Sequence, residues 1–342
     1  MKKQILLLAF AGIASTSFAT VRTVNNNPNA VAQYTAIQTA VDAASVGDSI
    51  YVIGSPTTYG NVSITKKLTF IGSGYSVTGT PYNYNSILGA VSIDSVNGGS
   101  VVSGLKFKGL WITGGVASGT NTSFAKPNIT FERCKIDYYL NVLGNGWVLN
   151  GNFLNASVTI NNRSNIIIAN NVIYNYLGTS NVSSVLITNN IFIAPSYGGL
   201  VTVTNALITN NVFYQVSSIY SDVQNNTFNK NIGYHSTIVL TLPPANNTGS
   251  GNLSNTNPNF VNLPSNASSY YENTYDYHFM GGSPAIAAGT DGKDLGIYGG
   301  SNPIANTTGV TNLPQIVVYN ISNSVLPKNG TLNVNVKARK QN

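Results

Sequence analysis

The feature that most constrains this chain is a short phrase built on an Asn-Asn pair, which returns several times in its middle third. Its clearest copies are I-I-I-A-N-N-V-I at 166–173, V-L-I-T-N-N-I-F at 185–192 and A-L-I-T-N-N-V-F at 206–213. A decayed copy follows at 221–228, and looser ones precede at 129–136 and 147–154. Aligned on the second Asn, the anchors lie 18, 19, 19, 21 and 15 residues apart, at Cys134, Asn152, Asn171, Asn190, Asn211 and Asn226. A period near 20 residues predicts one supersecondary unit stacked on itself.

Apolar and polar residues alternate on either side of each pair, which predicts short strands with one buried face. Asn tolerates left-handed backbone geometry, so the first Asn of a pair is expected to form a corner. A coil of about 19 residues cannot bury its own core, so successive coils must stack. We therefore predict an all-β fold, a parallel β-helix whose second Asn residues form an internal ladder of amides. Cys134 replaces Asn at one rung and is expected to be a buried structural thiol.

Two further stretches carry a family resemblance. The runs A-I-Q-T-A-V-D-A-A-S-V-G-D-S-I-Y-V at 36–52 and T-Y-G-N-V-S-I-T-K-K-L-T-F-I-G at 58–72 resemble the opening of pectin-lyase-like right-handed parallel β-helix proteins. The run G-S-P-A-I-A-A-G-T-D-G-K-D-L-G-I-Y-G-G at 282–300 resembles the closing segment of secreted bacterial members. The resemblance implies a right-handed solenoid over 20–300, an N-terminal capping helix at 34–44 and a closing segment that wraps the final coil. Residues 301–342 are then a linker and a strand appendage that caps or flanks the C-terminal end.

The first 19 residues read as a signal peptide, with Lys2 and Lys3, an apolar run and Ser17-Phe18-Ala19 as the cleavage site. The protein is therefore expected to be secreted, either free or at the cell surface. No later stretch is long and apolar enough to predict a membrane span. Charged residues make up only 8% of the chain and form no row of Lys and Arg that could follow a phosphate backbone. We therefore expect no nucleic-acid partner. Abundant Asn and 20 Tyr residues favour a polysaccharide partner, and the sequence leaves the oligomeric state open.

Catalytic candidates are few. Enzymes of the resembled family use carboxylates that bind calcium or transfer protons, on strands that here correspond to 158–160 and 201–203. Those strands present Thr and Asn, so we expect no metal site and no cofactor. The one charge cluster consists of Lys106, Lys108, Glu132, Arg133, Lys135 and Asp137. As a catalytic site it would neutralise a uronate carboxylate and remove the C5 proton in a β-elimination. As structure it would be a salt-bridged, solvated face.

Tyrosines near strand ends are the candidate glycan contacts, because aromatic faces stack on sugar rings. The candidates are Tyr138, Tyr139, Tyr174, Tyr176 and Tyr214, and the alternative is that these side chains only cap coil edges. Two functions follow from the sequence. The first is a secreted or surface β-helix protein that contacts polysaccharide without strong catalytic activity. The second is a polysaccharide lyase that acts on uronate-containing glycans through the charge cluster. The strands at 158–160 and 201–203 present no acid or base, and this absence favours the first function.

Overall fold

The computed structural model is a stack of coils whose strands pair in parallel from one coil to the next. It describes residues 19–28, 31–76, 84–94, 101–119, 125–193, 199–219, 222–265, 274–304, 307–310, 314–321, 331 and 334–340. The predicted signal peptide lies outside this part of the chain, apart from Ala19. Eleven parallel strands form face A: β1 (Val21–Val24), β2 (Ser49–Val52), β4 (Thr69–Gly72), β7 (Lys106–Lys108), β10 (Thr130–Glu132), β12 (Val148–Asn150), β14 (Ser164–Ala169), β17 (Ser183–Thr188), β20 (Ala206–Thr209), β22 (Thr227–Asn229) and β24 (Thr248–Ser250).

A second sheet of 13 strands is bent into two further faces. Face B contains β5 (Ile87–Leu88), β8 (Trp111–Ile112), the first residues of β11 (Lys135–Val142) and β13 (Phe153–Asn161), β15 (Val172–Ile173), β18 (Ile191–Phe192), β21 (Val212–Tyr214) and β23 (Ile232–Tyr234). Face C contains β3 (Val62–Ile64), β6 (Val91–Ile93), β9 (Val116–Ser118), the later residues of β11 and β13, β16 (Leu177–Ser180) and β19 (Leu200–Val201). Together the three faces make a right-handed parallel β-solenoid of about nine turns, which confirms the predicted fold class.

The three clearest Asn pairs form the corners between faces A and B. The first Asn of each pair has left-handed backbone geometry, with φ of 56° at Asn170 and 55° at Asn189. The second Asn is fully buried, and its amide Nδ2 donates to the Oδ1 of the next rung at 3.0 Å from Asn171 to Asn190 and again from Asn190 to Asn211. The predicted internal ladder is confirmed. Cys134 lies at its predicted rung, fully buried, with its N–H donating to the ladder.

The last rungs differ from the predicted alignment. Asn211 donates to Asn231, which in turn donates to Asn252, each at 3.0 Å. Asn226, the predicted anchor, instead belongs to a shorter ladder at the corner between faces C and A, where it donates to Asn247 at 2.9 Å. Lys230 takes the left-handed corner position with φ of 56°, so no Asn-Asn pair marks this coil in the sequence.

The solenoid core contains a column of stacked aromatic rings on face A. Phe70, Phe107 and Phe131 stack at centroid distances of 5.2 and 4.5 Å, and Trp147 continues the column at 5.8 Å. Each ring comes from a different coil, so the aromatic contacts tie consecutive coils together as the Asn ladder does.

Helix α1 (Ile37–Ala43) lies against β1, β2 and β3, with Ile37, Ala40 and Val41 buried. It therefore covers the first strands of the solenoid, as the resemblance implies, but it is shorter than predicted. Tyr34 forms a parallel bridge with Val24 and so lies outside the helix.

After the last coil, β25 (Phe260–Asn262) and β26 (Asp276–Phe279) pair antiparallel, and a short 3-10 helix, η1, follows at Gly296–Tyr298. Residues 283–304, which we call the strap, run back along the corner Asn residues. Asn210 Nδ2 donates to Thr290 Oγ1 at 3.0 Å, and Asn170 Nδ2 donates to the Gly299 carbonyl at 2.9 Å. Further on, the N–H of Tyr75 donates to the Thr308 carbonyl at 3.1 Å.

The expectation that this segment wraps the final coil is therefore wrong. Since Tyr75 belongs to an early coil, the chain at residue 308 has returned to the N-terminal half of the solenoid. Residue 308 therefore does not lie at the C-terminal end of the solenoid, which the appendage within 301–342 was expected to cap or flank. Within 301–342 the structure has two strands, β27 (Pro314–Ile321) and β28 (Val334–Lys340), which pair antiparallel.

Candidate functional site

The strap decides which outer surfaces of the solenoid are open. From β15 to β23, face B is apolar on both sides: Ile173 points into the core, whereas the adjacent Val172 is buried against the strap together with Leu295 and Ile297. This double burial explains why two apolar residues follow each Asn pair (V-I, I-F and V-F), a break in period-two alternation that marks a strand covered on both sides. Faces A and C remain as candidate binding surfaces.

The predicted charge cluster is divided by the corner between faces A and B. Lys106, Lys108 and Glu132 lie on face A, in β7 and β10, and Lys108 Nζ forms a salt bridge with Glu132 Oε2 at 2.8 Å. The two side chains are 37% and 30% exposed, so this pair is solvated. Arg133 occupies the corner itself with φ of 53°, and with the strap's Ile304 it lines a cavity of about 230 Å³.

The remaining two members of the cluster lie at the start of β11 on face B. Lys135 Nζ lies 3.9 Å from the ring centroid of Trp111, a cation–π contact. Asp137 Oδ2 accepts a hydrogen bond from Trp111 Nε1 at 2.5 Å, and its Oδ1 accepts one from Asn155 Nδ2 at 3.4 Å. Lys108, Glu132, Lys135 and Asp137 are thus each held by a neighbour on their own side of the corner, an arrangement that fits a solvated structural face.

The structure separates the candidate tyrosines into two groups. Tyr174 and Tyr214 are only 2% and 5% exposed. The Tyr174 hydroxyl bonds to that of Tyr277, and the Tyr214 hydroxyl donates to the Leu263 carbonyl at 2.9 Å. Neither ring can present a face to a glycan, so their prediction as glycan contacts is wrong. The physical reason is that both lie on the outer side of face B, which the segments following the last coil cover.

The other three candidates lie where face B bends into face C. Tyr138 is 75% exposed, and its ring centroid lies 5.3 Å from that of Tyr139. Tyr139 pairs in register with Ser157, and Tyr176 precedes Leu177, which pairs with Val158. Tyr139, Ser157 and Tyr176 therefore form one row across three coils, which we call the tyrosine row. Its two rings are two coils apart, about 10 Å at the usual strand spacing.

A glycine lies against each ring, and the one at Gly115 leaves no room for a side chain. A Cβ at Gly115 would lie 2.9 Å from Cε2 of Tyr139, and one at Gly178 would lie 3.4 Å from Cε2 of Tyr176. The rings thus rest against bare backbone. The neighbouring outward row of face C has no charged side chain: it runs Ser63, Ser92, Ala117, Asn141, Thr159, Gly178 and Val201. Face C is consequently a neutral strip of small side chains edged by aromatic rings.

The opposite edge of face C carries two cations that sequence patterns did not single out. Lys126 is 1% exposed, and its Nζ donates to Ser118 Oγ at 2.9 Å. Burial lowers the pKa of Lys126; Asp94 opposes this shift, and the positive charge of Arg163 adds to it. Arg163 lies at the corner that leads from β13 to β14. The repeat period could have located Arg163 at a corner, but Lys126 lies in the irregular connection after β9, where no period applies.

Within the described residues, no group of three or more His, Cys, Asp or Glu side chains is placed to hold a metal ion. No helix in that part of the chain is long and apolar enough to cross a membrane. No known protein family matches the sequence, and no curated protein matches it either. By its fold, the protein is a parallel β-solenoid protein.

Proposed function

We propose that this protein is a secreted or cell-surface β-solenoid that binds polysaccharide on face C, without strong catalytic activity. The observation that carries the proposal is the tyrosine row, whose two rings lie against glycines beside a neutral, small-residue strip. Aromatic faces pack on the apolar faces of sugar rings, and hydroxyl and amide groups such as Thr159 and Asn141 exchange hydrogen bonds with sugar hydroxyls.

The resemblance at 36–72 and 282–300 supports a place near the pectin-lyase-like right-handed β-helix proteins. The signal-peptide pattern at 1–19 supports export. Export is tested by collecting the protein outside expressing cells and measuring the mass of its N-terminal peptide. A mature chain that begins at Thr20 is expected, and a product retained in the cell with Met1 intact contradicts export.

Lyase activity has weaker support, because β-elimination needs a base and a charge stabiliser that face one substrate. Lys108 and Glu132 neutralise each other on face A, whereas Asp137 is held by Trp111 on face B. A solvated structural role therefore accounts for these residues without a reaction. Uronate polysaccharides incubated with the protein should give no rise in the absorbance of the unsaturated product.

Polysaccharide binding is tested by screening the protein on a glycan array and measuring the affinity for the strongest hit. Replacement of one stacking ring removes about 1 kcal/mol of contact, so Tyr139→Ala and Tyr176→Ala should each weaken binding about fivefold. Tyr176→Phe is the matched control, since it keeps the ring and loses only the hydroxyl. Affinity that is unchanged in both alanine variants, with unfolding midpoints equal to that of the wild type, would refute binding at the tyrosine row.

A further inference from the structure

A shallow, open cavity of about 300 Å³ lies at the corner between faces C and A. Three successive coils build it: Asn145 comes from the first, Asn162 to Ser164 from the second, and Asn181 to Ser183 from the third. Asn181 Nδ2 donates to Asn162 Oδ1 at 2.8 Å, which links two of its walls. The cavity is therefore a built feature of the stacked corners and not a gap between loose loops.

Among the residues that the structure describes, Arg163 is the one charged residue that lines this cavity, and its guanidinium is poorly satisfied. Nη1 donates to the backbone carbonyl of the adjacent Asn162 at 3.1 Å. Nε is buried and has no acceptor in the described part of the chain. No carboxylate among the described residues forms a salt bridge with Arg163. A buried donor without an acceptor is costly, so it calls for an explanation such as an unmet ligand.

The surroundings add positive potential and further donors. The charge of Arg163 lies close enough to Lys126 to lower its pKa. Two cations and one carboxylate, that of Asp94, therefore lie near this corner. The hydroxyls of Ser164 and Ser183 line the cavity, and the described residues give them no hydrogen-bond partner. A positive, concave site with unused N–H and O–H donors is complementary to an oxyanion.

We propose that this cavity is an oxyanion subsite in which Arg163 binds a sulfate or carboxylate substituent, so that the polysaccharide bound on face C is an acidic one. The inference rests on the proposed function, because it assigns a second contact to the same ligand. Arg163 follows Ser157 of the tyrosine row by six residues, which is at most about 20 Å, because the backbone turns a corner at Asn162. An oligosaccharide that crosses face C therefore reaches both edges.

The subsite is tested first with inorganic sulfate and the full chain. The sequence has four arginines, so the Nε–H signals of the ¹⁵N-labelled protein can be assigned with single variants. Sulfate, titrated against chloride at constant ionic strength, should shift the Arg163 Nε–H signal saturably. The Arg133 signal is the internal control, because that guanidinium lies at the other corner of face A. An Arg163 shift no larger than that of Arg133 overturns the subsite.

Polysaccharides then separate this inference from the proposed function. Dextran, dextran sulfate and a polyuronate are compared on the wild type, Arg163→Gln and Arg133→Gln, which change the net charge equally. Arg163→Gln should weaken binding of an acidic polymer about tenfold or more and leave dextran binding unchanged, whereas Arg133→Gln should have little effect. The affinities for dextran sulfate and for the polyuronate, compared with each other, show which substituent is preferred.

The two ideas fail differently. If Tyr176→Ala weakens binding and Arg163→Gln does not, the oxyanion subsite is refuted and the proposed function stands. If no polymer binds at all, the proposed function is refuted, and so is the inference that a polysaccharide supplies the oxyanion. Equal losses in Arg163→Gln and Arg133→Gln would mean that only the overall charge matters, which also refutes the subsite.

Discussion

The Asn ladder makes a quantitative prediction for Asn190→Ala. The side chain of Asn190 accepts from the backbone N–H of Asn171 at 2.9 Å and donates to the Ile168 carbonyl at 2.8 Å and to Asn211 Oδ1 at 3.0 Å. Asn190 is fully buried, so water cannot replace it. Truncation strips the Asn171 N–H and the Ile168 carbonyl of these partners. At about 1–3 kcal/mol for each unsatisfied group, the loss should be about 2–6 kcal/mol.

The assay is urea unfolding followed by circular dichroism, with the midpoint and the slope compared between the wild type and the variant. Asn252→Ala is the matched control, since Asn252 occupies the last rung and is only partly buried. Water can satisfy the groups freed there, so we expect a loss below about 1 kcal/mol. A loss from Asn190→Ala that does not exceed the loss from Asn252→Ala would refute the view that the buried ladder stabilises the solenoid.

Three further predictions concern single side chains. Burial raises the pKa of Cys134 to about 12, so its thiol should not react with a disulfide reagent at pH 8 until the protein unfolds. Lys108→Ala breaks only a partly exposed ion pair with Glu132, so the free energy of unfolding should fall by less than about 1 kcal/mol. Burial alone would raise the pKa of Asp48, but hydrogen bonds from two backbone N–H groups and Arg22 outweigh it and lower the pKa below its usual 3.8. The stabilisation from Asp48 is therefore present above pH 3.8 and is lost as the pH falls through the lower pKa of the folded state. In this acid range, the stability of Asp48→Asn should depend less on pH than that of the wild type.

Local sequence patterns predict only part of the candidate site. Tyr139 and Tyr176 could be predicted because they flank strands that the repeat defines. Tyr174 and Tyr214 occupy similar positions in the sequence, yet they are buried beneath segments that follow the last coil. The charge cluster was expected as one patch, but Arg133 marks a corner that turns its members onto two faces. For Tyr174 and Tyr214, the deciding contacts come from Tyr277 and Leu263, which lie outside the repeat.

By itself, the sequence determined the coil length, the left-handed corners, the amide ladder as far as Asn211 and the burial of Cys134. These features follow from interactions that repeat every 19 or so residues, so one copy predicts the next. Only the tertiary structure decided the path of the strap, because the bond between Asn170 and Gly299 joins residues 129 positions apart. That path covers face B and leaves face C open, and the stacking of three coils around Arg163 creates the cavity. A contact made once, between distant parts of a chain, leaves no period in the sequence.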